Sequence, residues 1–185
     1  METMLPKYID GLLRSKGISQ SQLAREIFVS RQQISYVMSG SREMPLDMAI
    51  KIESFFNLKD GTLLALQDKD RISSRKSEIR SSLAAKLKAV SAFWSYKAMD
   101  ESELSDEDII ENTILHLDMD EIEQLFLVYG HCKVMKAWKE RLACQGDHLR
   151  DLNIMMAMYY FGIKKPEQYL RRVESDNLKK LLAYA

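Results

Sequence analysis

Apolar residues recur along the first third of the chain at three- and four-residue steps, the period of helices with one buried face. Leu5, Ile9, Leu12 and Leu13 form the first stripe, and Gly17 stops it. Leu23, Ala24 and Ile27 form a second, Ile34, Val37 and Met38 a third, and Met48, Ala49, Ile52, Phe55 and Phe56 a fourth. The polar positions between them carry helix punctuation. Ser19 with Gln22, and Ser30 with Gln33, are Ser-x-x-Gln capping boxes, in which hydroxyl and carboxamide each satisfy a backbone N–H left over at a helix start. Gly40 ends the third stripe, and Pro45 opens the fourth at its first turn. Five short helices by about residue 66 predict a compact domain over 1–66.

Over 67–92 the pattern narrows. Ile72, Ile79, Leu83, Leu87 and Val90 make a thin apolar stripe among Ser, Lys and Arg, which predicts a basic helical linker. It reads equally as a solvated connecting helix and as a seam for self-pairing that leaves its cations for phosphates. Beyond FWSY at 93–96 the helical rhythm returns. Ser105 and Asp108 cap a helix carrying Ile109, Ile110, Ile114 and Leu115, and Asp118 with Glu121 repeat the device before IEQLFLVY, which Gly130 stops. CKVMKAWKERL, then DLNIMMAMYYFGI closed by Gly162, then a helix opened by Pro166 complete a C-terminal helical bundle over 93–185.

Composition agrees: seven glycines, three prolines and hardly any strand-like runs of Val, Ile and Thr make the chain all-α. METMLPKYID lacks the apolar core of a secretory signal, and LNIMMAMYYFGI is too short to span a bilayer, so a cytoplasmic protein with no membrane partner is expected. Cys132 and Cys144 read as buried thiols. A metal site from His131, Cys132, Cys144 and His148 lacks a Cys-x-x-Cys knuckle, and neighbours 131 and 132 point about 100° apart on a helix, so no metal or other cofactor is expected. The acidic runs lack the order of a calcium loop. No phosphate-binding glycine loop or activated nucleophile suggests an enzyme. Tyr129, His131 and Trp138 read as packed core rather than as a small-molecule pocket.

Charge sharpens the division. Lys/Arg and Asp/Glu number 27 each, yet residues 1–66 hold eight against seven, 67–98 eight against three, and 99–185 eleven against seventeen. Only the first domain and the linker suit a polyanion.

Within the first domain, SRQQISYVMSG combines an apolar back with an outward front of Arg31, Gln32, Ser35 and Tyr36. Arg can pair bidentately with guanine and Gln with adenine, so the front can read bases in a major groove. Gln20, Gln33, Ser39 and Arg42 are placed for phosphates. The alternative is a protein-interaction module whose helix pair does not bind DNA, but an ordinary solvated face would mix Glu with Lys.

Residues 5–66, and ISQSQLAREIFVSRQQISYVMSG above all, resemble the phage-repressor/Cro-like (XRE) helix-turn-helix family. Pro45 to Leu58 and LLALQ at 63–67 are similar to its plasmid-maintenance antidote branch, the antitoxins. The resemblance implies a five-helix repressor-like domain that binds double-stranded DNA as a homodimer on a two-fold operator. It places base reading at Arg31, Gln32, Ser35 and Tyr36 and phosphate contact at Gln20 and Gln33, and in the antidote branch implies a toxin partner. Phe28 stands where the family has its turn glycine, a position whose positive φ costs another residue roughly 1 kcal/mol. A turn that survives with some strain or a slightly altered geometry is expected, and outward packing of Phe28 on another part of the protein is the hypothesis for what would offset it.

Overall fold

The apolar stripes become the buried faces of helices in the computed structural model, which describes residues 3–92 and 104–183. In chain order these are α1 (Met4–Lys16), α2 (Gln20–Glu26), α3 (Arg31–Met38), α4 (Leu46–Phe56), α5 (Thr62–Ala89), α6 (Asp106–His116), α7 (Met119–Tyr129), α8 (His131–Arg141), α9 (Arg150–Met155) and α10 (Pro166–Ala183). No strand interrupts them among the described residues, and none of these helices is long and apolar enough to cross a membrane. The protein is all-α. It divides into two compact units, Met1–Lys76 and Ser77–Ala185, with the boundary inside α5. FWSY at 93–96 and the start of the acidic run, 100–103, lie outside the described residues.

In the first unit Leu5, Ile9 and Leu13 of α1, Leu23, Ala24 and Ile27 of the α2 segment, Ile34 and Val37 of α3, and Met48, Ala49 and Ile52 of α4 share one core. Each large side chain buried there is worth roughly 1.5–3 kcal/mol relative to exposure. The first turns of α5 are part of this unit. Leu63 is fully buried, Gln67 Oε1 accepts the Met44 N–H at 2.6 Å, and the Asp70 carboxylate accepts the Met4 and Leu5 N–H groups at 2.8 and 2.9 Å. Asp70 thus caps α1, a helix whose own Thr3 offers no side-chain cap. Glu53 of α4 is 1 % exposed, and its two oxygens accept the Gly61 and Leu63 N–H groups at 2.9 and 2.7 Å. A buried carboxylate therefore starts α5.

The second unit buries the other end of α5. Ile79, Leu83, Ala84 and Leu87 join Ile109, Ile110 and Ile114 of α6, Ile122 and Leu125 of α7, and Val134 and Trp138 of α8 in one core. Of the stripe that reads equally as a solvated helix and as a self-pairing seam, Ile79, Leu83 and Leu87 are thus covered from within the unit, while Ile72 and Val90 stay exposed. Trp138 Nε1 donates to Asn153 Oδ1 at 2.8 Å, and Asn153 Nδ2 donates to Leu142 O at 3.1 Å, so the buried amide ties α8 to α9. After α9 the helix widens into a π-turn over Met156–Tyr160. Ser105 caps α6 as expected, accepting the Asp108 N–H at 3.1 Å. Asp118 does not cap α7 with its side chain, and Glu121 instead takes Lys86 Nζ at 2.6 Å.

Candidate nucleic-acid interface

Two helix ends shape this surface. Both capping boxes form: Ser19 Oγ accepts the Gln22 N–H and Gln22 Oε1 the Ser19 N–H, at 3.2 and 2.7 Å. Ser30 Oγ accepts the Gln33 N–H at 3.1 Å, and Gln33 Oε1 accepts the Ser30 N–H at 3.0 Å. They fix where α2 and α3 begin. Between them α2 closes with Phe28 N–H to Arg25 O at 3.2 Å and Val29 N–H to Ala24 O at 3.0 Å, the paired back-bonds of a Schellman motif. Phe28 occupies its left-handed position with φ 54°. The same closure ends α1 at Gly17, α3 at Gly40 and α4 at Asn57, where side-chain sterics are easier. The turn survives, as expected, but Phe28 does not pack outward: it is 88 % exposed.

On α3, Ile34 and Val37 are buried and Met38 half-buried, so the helix is anchored by its back. Arg31, Gln32 and Ser35 are exposed and Tyr36 half-exposed on the other side. Residues 12–63 match the helix-turn-helix family model. No curated protein and no solved structure matches the chain. The first unit therefore carries a helix-turn-helix domain, with α2 as its first helix and α3 as its second, and the matched class is DNA-binding rather than catalytic. Ser77–Ala185 lies outside the match.

Around the helix-turn-helix the structure gathers some of the singled-out residues and separates others. Gln32 Nε2 donates to Tyr36 Oη at 2.6 Å, and the Arg42 guanidinium lies 4.7 Å from the centre of the Tyr36 ring. Ser39 Oγ donates to Tyr36 O at 3.1 Å and lies 2.7 Å from Ser41 Oγ. Arg31 and Ser35 stand on the same front with no side-chain partner among the described residues. Gln33 spends its Oε1 on the cap, leaving Nε2 for an outside partner. Gln20 is the first residue of α2, half-buried and outside the Tyr36 group. No acidic residue occupies the first turn of α3, so its positive end is not neutralised by its own sequence. Glu43, next to Arg42, is answered by Arg71 at 3.1 Å.

The basic stretch is less free than its charge count suggests. Arg71 is paired with Glu43 and Asp68, Arg80 with Asp106, and Lys86 with Glu121. Lys69 and Lys76 remain exposed.

In the second unit the candidates for metal and pocket chemistry scatter. No group of His, Cys, Asp and Glu among the described residues is arranged to hold a metal ion, Cys132 is exposed rather than buried, and Cys144 is half-buried with Sγ on Glu140 O at 3.1 Å. Trp138 is fully buried as packed core, whereas His131, read as core beside it, is exposed, its ring lying 5.8 Å from Phe126 and 5.4 Å from Phe161. Burial raises the Tyr129 phenol well above its usual range, and the negative charge of Asp106 adds to the rise.

Proposed function

We propose that the chain is a sequence-specific transcriptional repressor that reads a two-fold operator as a homodimer through α3. One observation carries the reading: a helix-turn-helix whose second helix buries Ile34 and Val37 while presenting Arg31, Gln32, Ser35 and Tyr36 on an exposed front. Arg31 supplies the bidentate fork suited to guanine, and Gln32 the carboxamide suited to adenine. Gln20, Gln33, Ser39 and Arg42 would hold phosphates and set the register. A single small reading domain makes too few contacts for operator affinity, and pairing on a palindrome doubles them.

The test is an electrophoretic shift of the protein's own promoter at two salt concentrations. Wild-type protein retards the fragment, and more weakly at higher salt, because each phosphate contact releases counterions. Arg31→Ala with Gln32→Ala lowers specific affinity by about tenfold or more, with thermal stability retained. A wild-type protein that shifts no DNA, or a double variant that binds like the wild type, favours the protein-interaction reading instead. The antitoxin role rests on the likeness of Pro45 to Leu58 and LLALQ to the antidote branch. A short toxin-like reading frame beside the gene supports it.

A further inference from the structure

Tyr36 was placed among the base readers by its position on the helix, but its contacts give it a different task. Its Oη accepts a hydrogen from Gln32 Nε2 at 2.6 Å, one helical turn earlier. Its ring carries the Arg42 guanidinium at 4.7 Å. Its carbonyl holds the loop that delivers Arg42, accepting the Ser41 and Arg42 N–H groups at 2.9 and 3.2 Å and Ser39 Oγ at 3.1 Å. An exposed glutamine on a bare helix would sample many rotamers, and fixing them on binding costs entropy. Here the side chain is already tied.

The tie also decides what the carboxamide offers. A glutamine amide has one acceptor oxygen and two Nε2 hydrogens. When the hydrogen anti to Oε1 is the one on Tyr36 Oη, Oε1 and the syn hydrogen stand side by side as an acceptor–donor pair. Adenine presents the complement in the major groove, an N6–H donor beside the N7 acceptor, whereas guanine presents two acceptors there. We propose that Tyr36 is a positioning residue that holds Gln32 in its adenine-reading orientation, with Arg42 stacked on the Tyr36 ring to keep that ring in place. The proposal rests on the reading of α3 as a DNA-reading helix.

Tyr36→Phe removes only the hydroxyl and keeps the ring under Arg42. The experiment selects bound duplexes from a library randomised over the operator, using the full chain as wild type, Gln32→Ala and Tyr36→Phe. Thermal midpoints and salt slopes are measured beside it. The wild type should enrich adenine at one position of each half-site, and Gln32→Ala should flatten that position alone. Tyr36→Phe should lower the adenine preference at the same position about three- to tenfold, the worth of one hydrogen bond, with other positions, midpoint and salt slope unchanged. An unchanged preference in Tyr36→Phe overturns the positioning role. So does a guanine at the Gln32-dependent position, the flattening of a different position, or an equal loss at every position. Enrichment of no sequence by the wild type overturns the DNA-binding reading itself, and this proposal with it.

Discussion

A phenyl ring at position 28 is strained without compensation. Its backbone sits at φ 54°, where a β-carbon meets the neighbouring carbonyl. At 88 % exposure the ring stays in water as it does in the unfolded chain, so burial contributes nothing against that strain. Phe28→Gly should therefore raise the free energy of unfolding in urea by about 1 kcal/mol with an unchanged denaturant slope. A loss of stability in that variant would show that the ring packs after all. The strain was legible through the resemblance, because Phe28 stands where the helix-turn-helix family has its turn glycine. The side chain's destination was not, because whether an apolar group finds a neighbour depends on residues far away in the chain. Tyr36 teaches the same lesson: its period on α3 put it on the front, but Arg42 reaches its ring only through the loop that follows.

At the scale of elements, the starts and stops of helices were written locally. Ser19, Ser30 and Ser105 cap as their spacing predicts, and Gly17, Gly40 and Gly130 stand at the ends they were expected to mark. The exceptions are helices capped from a distance. Glu53 lies on the same side of α4 as the buried Ala49, where a carboxylate looks misplaced, until α5 is seen to begin on its oxygens. Glu53→Ala should destabilise the first unit by about 3 kcal/mol, since it strands the Gly61 and Leu63 N–H groups, one of them buried. Circular-dichroism melts of the full chain check this, and a shift below the equivalent of about 1 kcal/mol would mean that water replaces the carboxylate. A lone Glu on an apolar face shortly before a Gly-Thr helix start is the signal that could have found it. Asp118 is the opposite case. Its sequence offers a cap, but Glu121, three residues on, is drawn to Lys86 by charge.

The whole molecule explains where its charges go. Residues 67–98 carry the basic excess and 99–185 the acidic one, and within the second unit they meet at Arg80 on Asp106 and Lys86 on Glu121, while Lys133 on Asp106 and Arg141 on Asp108 and Glu111 answer further carboxylates from inside the acidic part. Burial pushes the Asp106 and Asp108 carboxyls up, but hydrogen bonds outweigh it, from Lys133 and Arg80 for Asp106 and from Ser105 and Arg141 for Asp108. Both end below the usual carboxylate range. Glu121 is also lowered, chiefly by its hydrogen bond from Lys86. A carboxyl whose folded pKa is depressed contributes stability above its unfolded pKa and loses it as pH falls toward the folded value. The second unit should therefore weaken as pH drops below about 4, where unfolded carboxylates protonate. Both tryptophans, Trp94 and Trp138, lie in Ser77–Ala185, so tryptophan fluorescence follows this unit. Asp106→Asn with Asp108→Asn should lower its thermal midpoint at pH 7 and flatten the fall between about pH 5 and 2. An undiminished acid slope in that variant would place the lability in other carboxylates.

By itself the sequence determined the helices, their caps, the buried back of α3 and its Arg-Gln-Ser-Tyr front. All of these depend on neighbours within a few residues, and helical period and capping chemistry act at that range. Tertiary structure alone decided that Ile79, Leu83 and Leu87 of α5 pack inside the second unit, that several of the helix's cations are held in ion pairs, that Glu53 and Asp70 cap other helices, and that Arg42 lies on Tyr36. Those pairings join residues from six to sixty-six positions apart, and only the packed chain brings them within reach.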